Sequence, residues 1–522
     1  MRVAIFHGFE LTGSGSNEYT RYLSRALARQ GHDVHVLCRE PDPASIPHVA
    51  RAFAWDGSGK NRRLFLRDAG DDGVTLHQLA NGAVRPVYVT DKQRAGNVKA
   101  FESLTDDELS AYHAENVRLV DLVLGEHPVE LVHANHLVWQ PCVLADTSHP
   151  FIVFPHGSSI EYTIRRDDRY RGHAAIGLRA ARGIISGNQE VLDRILDLYP
   201  DERGALQAKS AIVGVGVDTS LFRPVARSER KETVSRVQGP CGGKTIAQSR
   251  ELIERLERGE LDAVTRYRGA YDQDAPDEQV KEKIARIPWG EARVLLFVGA
   301  LTAGKGIQTL LCALPAILRE HSDTHLVIVG SGAYREVLEA LVHANAAGRQ
   351  KLFDYLVAHG FDLDRSALIG SWEGLSGAVP SYPGFAEHVH FLGRLPHALL
   401  RFVAPCADLA IFPSVVPEAY PLVLMESLAA GVLPLVSDFS GFADGLRQLE
   451  VFFGRELVDR FRLPFDPAER VEGMVDKVCG LLRDFPDEET HGRLRSVAVE
   501  HFDWDVRARE MAAAYRRFAA RS

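Results

Sequence analysis

The stretch Pro413-Ser-Val-Val-Pro-Glu-Ala-Tyr-Pro-Leu-Val-Leu-Met-Glu-Ser-Leu-Ala-Ala-Gly431 carries two carboxylates, Glu418 and Glu426, eight positions apart. An apolar run, Asp408 to Phe412, precedes it and reads as a buried strand. Pro421 then opens a helix and Gly431 closes it, because proline suits a first turn and glycine the residue past the end. The two carboxylates are thereby aimed at the carboxyl end of a strand, where open α/β sheets bind ligands. The first amides of that helix, those of Leu422 and Val423, lack intrahelical acceptors and attract phosphate. Carboxylates accept hydrogen bonds from vicinal diols, so the pair suits sugar hydroxyls flanking a diphosphate. A solvated helix face has the same spacing, and the rest of the chain decides between the two.

Working outward, VLLFVGALTAGKG, Val294 to Gly306, is a strand, a glycine loop and a helix start. It places Gly299, Lys305 and Gly306 where a cation and free amides hold an anion without a metal. HVHFLGRL, His388 to Leu395, ends a further strand at Arg394 and Leu395. At the other end of the chain, RVAIFH leads into the loop Gly13-Ser14-Gly15 and a helix. A dinucleotide fingerprint would need glycine at position 18, and the chain has Glu18 there. PFIVFPHG delivers His156-Gly157 to a strand end, GIISGN does the same for Asn188, and GVGVDTSLFRP runs from Gly214 to Pro224. HFDWDVRAREMAAAYRRFAARS closes the chain as a helix that contains Trp504.

In this order the motifs resemble those of the family 4 retaining glycosyltransferases (group 1) of GT-B fold. The resemblance implies an α/β protein of two Rossmann-like domains facing a cleft, with helical insertions. It implies a nucleoside-diphosphate sugar as donor, a hexosyl group transferred to an acceptor hydroxyl with retention of configuration, and no cofactor or metal. Carried over residue by residue, it assigns Glu426 to the ribose, Glu418 to the transferred sugar, His156 to the side of the donor sugar and Lys305 to the diphosphate. Backbone groups of Arg394 and Leu395 would meet the base, and Gly13, Ser14 and Gly15 would line the cleft. One position departs: Ala300 stands where relatives carry an arginine on the diphosphate. Arg394 is the nearest candidate to replace that charge. The missing arginine keeps a second reading open, a nucleotide-sugar-binding scaffold without turnover. A GT-B nucleotide-sugar epimerase is a third, disfavoured by the paired glutamates and the closing helix.

The expected boundaries are 1–225 for an N-terminal acceptor domain closed by the helix 503–522, and 291–502 for the nucleotide-sugar domain. Between them lies a charged helical insertion, 226–290, whose Ile253, Leu256, Leu261, Val264 and Tyr267 are spaced as a packed face. A second insertion, 341–387, contains Trp372, Tyr382 and Phe385. The segment 39–104 shows only brief β-like runs and receives no role. A length of 522 residues exceeds one ordinary core. The net charge of −9 argues against nucleic acid as a partner. Six scattered cysteines form no C-x-x-C pair, which suggests neither a zinc site nor a disulfide framework and fits a reduced cytosol. No signal peptide or membrane-spanning run is evident. Arg21, Arg25 and Arg29 share a helix face, for which solvent is favoured over a membrane surface. The acceptor class, whether carbohydrate, lipid-linked or small molecule, is not readable.

Overall fold

The computed structural model describes residues 1–520 except 57, 59, 69, 81, 83, 89–96, 240, 272 and 361–378, and the side chain of residue 71. Trp372 therefore lies outside the described residues. The chain forms two units, Met1–Val217 with Glu500–Ser522, and Asp218–Val499.

The first unit is built on a nine-stranded sheet. Its strands are β1 (Arg2–Phe6), β2 (Asp33–Cys38), β3 (Val49–Trp55), β4 (Asn61–Leu66), β5 (Val74–Leu79), β8 (Leu131–Asn135), β9 (Phe151–Phe154), β10 (Gly183–Ser186) and β11 (Ser210–Ile212). Two short strands, β6 (Arg85–Val87) and β7 (Val98–Ala100), pair with each other. The order is β11-β10-β9-β8-β1-β2-β5-β3-β4. Every pairing is parallel except β3 with β4. Strands β8, β9 and β10 are buried along their whole length, as parallel strands covered on both faces must be. The segment that the sequence left without a role thus supplies three strands that widen the sheet. Its outermost strand, β4, reads Asn-Arg-Arg-Leu-Phe-Leu and is largely exposed, a charged edge that resists pairing with other chains.

Chain order reverses between β1 and β8, so the loops after these neighbours diverge to either side and leave a crevice at their carboxyl ends. The last helix, Trp504–Ala519, packs onto this unit, and Val217 bridges to Asp503. Two glycines permit the approach. A β-carbon on Gly216 would lie 2.6 Å from the Trp504 ring, and one on Gly183 would lie 2.4 Å from the Phe518 ring.

The second unit has a six-stranded, all-parallel sheet: β12 (Arg293–Val298), β13 (Thr324–Val329), β14 (Val389–Phe391), β15 (Leu409–Phe412), β16 (Leu433–Ser437) and β17 (Arg462–Leu463). Its order is β14-β13-β12-β15-β16-β17, so the reversal falls between β12 and β15. These two strands carry the Lys305 and Glu418 loops.

The charged segment 226–290 belongs to this unit, which begins at Asp218. It adds the short helices Arg230–Ser235, Ala263–Tyr267 and Val280–Ala285 and the longer Ile246–Glu257. Leu256 and Val264 are buried as their spacing implies, but Leu261 is 38% exposed and Leu252 takes the buried place expected of Ile253. Leu252 and Leu256, four apart, share the buried face of the helix Ile246–Glu257, and Leu261 lies beyond that helix, after the turn at Gly259. Charge anchors the segment more than its apolar face does. Lys244 Nζ lies 3.1 Å from Glu336 and 2.6 Å from Glu339, with Lys244 and Glu336 buried and Glu339 only slightly exposed. Arg335 bridges Glu339 and Asp277 at 2.7 Å each, and Lys283 also pairs with Asp277. Among the described residues no helix is long and apolar enough to cross a membrane.

Candidate functional site

In the second unit, β12 exits through Gly299 and a tight turn, Ala303–Lys305, into the helix Ile307–Glu320. Gly306 has φ 70° and begins that helix. A β-carbon there would lie 1.8 Å from the Pro413 carbonyl oxygen, so only glycine lets this turn lie against the exit of β15. The Val415 amide donates to the Gly304 carbonyl at 2.8 Å and locks the two loops together. As a result Lys305 Nζ lies 2.6 Å from Glu418 Oε1, with neither side chain fully buried. Ser414 Oγ lies 2.8 Å from the same carboxylate oxygen, while Ser440 Oγ and the Gly441 amide both donate to the Glu418 carbonyl.

Glu426 sits on the helix Leu422–Ala429, and its Oε1 lies 3.1 Å from His397 Nε2. The amides of Leu422 and Val423 occupy the first turn of this helix and have no acceptor among the described residues. Lys305, Glu418 and two helix N-termini are thus gathered at the reversal point of the sheet, a charged and amide-rich spot suited to an anion with hydroxyls beside it.

Arg394 is placed differently from its expected phosphate role. Its Nη1 pairs with Asp274 at 3.1 Å, and its backbone amide, expected to meet a base, donates to the Ala275 carbonyl at 3.0 Å. Asp274 also accepts from Ser331 Oγ at 2.6 Å, and Pro276 bridges to Gly393. The inserted segment therefore engages both groups of Arg394, which sequence spacing could not reveal because the partners lie 120 positions away. Leu395 is 5% exposed and packs in the core.

In the first unit, His156 follows β9 and meets a buried chain of polar side chains. His156 Nε2 and His133 Nε2 lie 3.2 and 3.1 Å from Asn135 Oδ1. Both must donate, so the Asn135 amide nitrogen faces the other way, toward Thr20 Oγ1 at 2.8 Å and His7 Nδ1 at 3.2 Å. His7 Nε2 then donates to Asn17 Oδ1 at 2.9 Å, and Tyr515 donates to His133 Nδ1 at 2.5 Å. This pattern fixes each tautomer and leaves His156 Nδ1 as a lone-pair acceptor. Burial pushes His7 down to about 4 and His133 down to about 3, and it holds His156 far below the ordinary histidine range. All three rings are neutral at pH 7. They accept or donate hydrogen bonds but supply no charge.

The glycine loop is exposed. Gly13 has φ 99°, Ser14 caps the helix Gly15–Arg29 by accepting from the Asn17 amide, and Gly15 opens it. Asn188 also caps a helix, Gln189–Leu198, and its Oδ1 accepts from the Val191 amide at 2.9 Å. His7, Asn135, His136, His397 and Ser414 were not singled out from the sequence. Their signal is position alone: His7 and His136 directly follow strands, Asn135 ends one, Ser414 lies in the loop after β15 and His397 opens the short helix His397–Leu400.

Two groups of side chains among the described residues have metal-ligand spacing. In the first, Trp55 Nε1 donates to His77 Nδ1 at 3.0 Å, so His77 Nε2 bears the proton and donates to His35 Nδ1 at 2.9 Å. Both nitrogens of His77 are in use, and an ion would have to break one of those bonds. In the second, Glu320 pairs with Arg483 at 2.9 Å, and burial pushes the Cys479 thiol up to about 11.

Residues 14–203 match the family described as "Glycosyl transferase 4-like domain", and residues 279–353 and 384–460 match "Glycosyl transferases group 1". Over 224 residues the chain is 26% identical to phosphatidyl-myo-inositol mannosyltransferase of Mycobacterium leprae, covering 43% of this chain and 46% of that protein. It is 27% identical over 227 residues to an uncharacterized glycosyltransferase of Methanocaldococcus jannaschii, covering 43% and 45%. The chain thus spans less than half the length of these curated relatives. Its fold matches sucrose-phosphate synthase from Thermosynechococcus elongatus over 100% of both chains, with a TM-score of 0.60 at 16% identity. Anabaena HepE in complex with UDP and glucose matches with a TM-score of 0.55 at 13% identity, over 99% of this chain and 100% of that one.

Proposed function

The chain belongs to the family 4, group 1 glycosyltransferases of GT-B fold, and from that premise we propose that it transfers a hexosyl group from a nucleoside-diphosphate sugar to an acceptor hydroxyl, with retention of configuration and without a metal ion. The observation that carries this reading is the meeting of Lys305 and Glu418 at 2.6 Å, where the sheet order reverses. The diphosphate gathers negative charge as it leaves. Lys305 and the first amides of the helices Ile307–Glu320 and Leu422–Ala429 are set to stabilise that charge before it develops. Glu418 accepts hydroxyls of the sugar and Glu426 those of the ribose, while in the first unit His156 Nδ1 is left to accept a hydroxyl.

In the proposed step the anomeric carbon loses its bond to the diphosphate oxygen and gains one to the acceptor oxygen on the same face. The acceptor's proton passes to the departing diphosphate. In this reading charge neutralisation falls to Lys305 and backbone amides. A donor of this class is supported by the UDP and glucose held by Anabaena HepE and by the likeness to the mannosyltransferase of Mycobacterium leprae. We place the protein in the cytoplasm. Its acceptor is a carbohydrate, a lipid-linked sugar or a small molecule, and peripheral membrane contact is disfavoured because Arg25 and Arg29 are paired with Asp72.

A panel of UDP-, GDP- and ADP-linked hexoses tests the reading. At least one should raise the melting temperature and release nucleoside diphosphate, and turnover should survive excess EDTA. Activity lost to EDTA and restored by Mg²⁺ or Mn²⁺ rejects the metal-free site. Binding without any turnover favours the second reading, a nucleotide-sugar binder, for which Ala300 and the engagement of Arg394 by Asp274 speak.

A further inference from the structure

His136 follows β8 and is 1% exposed, yet neither of its ring nitrogens has a hydrogen-bond partner. It differs in this from His7, His133 and His156, whose bonds form the chain described above. Its backbone is held at φ 68°, in the left-handed region that residues other than glycine adopt uncommonly, histidine more often than most. Its amide donates to the Phe154 carbonyl at 2.8 Å, which pins the residue to the end of β9. A buried donor and acceptor left unmatched, on a strained backbone, are costly features that fold stability alone does not explain.

The ring sits 4.6 Å from His156, 4.9 Å from Tyr88 and 5.2 Å from Phe9, measured between centroids. Phe9 and Tyr88 are partly exposed and cover it. Among the described residues, the guanidinium groups around the loop after β1 are already committed. Arg39 donates to the Gly8 carbonyl and to Asn116 Oδ1, both at 2.9 Å, and Arg85 pairs with Glu10. Among the described residues the surroundings therefore offer aromatic faces and neutral imidazoles but no spare cation for an anionic group.

We propose that His136 reads the acceptor: one ring nitrogen donates to, and the other accepts from, hydroxyls of an uncharged polyol ring, a pyranose or cyclitol, that stacks against Phe9 and Tyr88. A neutral imidazole offers one donor and one acceptor, which matches the two roles of a hydroxyl group, whereas a phosphate would leave the acceptor nitrogen facing another acceptor. Binding satisfies the two orphaned atoms. The inference rests on the transferase reading and names the chemistry of its acceptor.

Saturation-transfer NMR on the full chain tests it, with myo-inositol and methyl α-glucopyranoside as neutral probes and myo-inositol 1-phosphate as the anionic one. The native protein should transfer saturation to ring protons of at least one neutral probe. His136→Gly, which suits the positive φ, and His136→Asn should each weaken that binding at least tenfold with unchanged melting temperature. In the native protein, ¹⁵N shifts of the His136 ring should move on titration, a readout that needs no variant. No transfer to either neutral probe, equal binding in the variants, still ring resonances, or tighter binding of the phosphorylated probe would each overturn the proposal. Donor binding is measured separately on the same samples. A polyol bound at His136 without any donor sinks the transferase reading, while a donor bound and turned over without a His136-dependent polyol sinks this inference alone.

Discussion

Lys305 and Glu418 stand on loops after two different strands, yet Nζ and Oε1 meet at 2.6 Å. The pair holds a cation and an anion in the place where a diphosphate and a sugar would compete for them. Lys305→Ala should weaken nucleoside diphosphate by roughly tenfold to a hundredfold, since a hydrogen bond to a charged group contributes ~1.5 to 3 kcal/mol. Glu418→Gln should act oppositely on that ligand, binding it as well or better because Lys305 is released, while weakening the sugar-bearing donor. Calorimetry with both ligands checks this, and parallel losses for both in Glu418→Gln would refute it.

Glu426 is held by His397 and stands apart from that pair. Its replacement by alanine is expected to weaken nucleoside diphosphate and nucleotide sugar alike, by a common factor. A loss confined to the sugar-bearing donor would exchange the roles of the two glutamates.

Arg394→Ala should change nucleoside diphosphate affinity less than about threefold, under 1 kcal/mol, because its guanidinium pairs with Asp274 in an exposed setting. Ala300→Arg should raise that affinity by adding a cation on the loop that carries Lys305. A tenfold loss in Arg394→Ala would mean that the ligand draws the side chain away from Asp274.

The buried histidines make stability fall on acidification. His7 and His133 titrate near 4 and 3 when folded, against 6.5 in the unfolded chain. Below pH 6.5 the unfolded chain binds protons that the folded one refuses, so each residue removes up to ~1.4 kcal/mol per pH unit until its folded value is reached. Melting curves of the full chain from pH 7 to 4.5 should show this decline, with a shallower slope in His133→Gln. Identical slopes would place the acid sensitivity elsewhere.

The strands β1, β2, β8 to β10 and β12 to β16 were legible, because parallel strands are continuous apolar runs and the glycine and proline positions mark each loop. The Lys305 and Glu418 loops follow neighbouring strands, and the reversal of strand order brings them together. What stayed hidden depends on pairing across the chain. Strands β3 to β5 lack clean alternation, since β5 is buried on both faces and carries His77 in its middle. The grip of Asp274 on Arg394 leaves no periodic trace. His136 escaped notice because a histidine at a strand end is ordinary; its missing partners and its positive φ are properties of the fold.

Residues 335, 336 and 339 fall within the segment that matches the group 1 family, whereas Lys244 and Asp277, which neutralise them, lie outside it. A consensus redesign that judged these three positions by family averages would be blind to the residues that set their charge. Exchanging only one side of the set strands a buried ion, typically a loss of about 3 to 5 kcal/mol. Charge at 335, 336 and 339 and the segment that answers it are therefore one heritable block, to be grafted or replaced together.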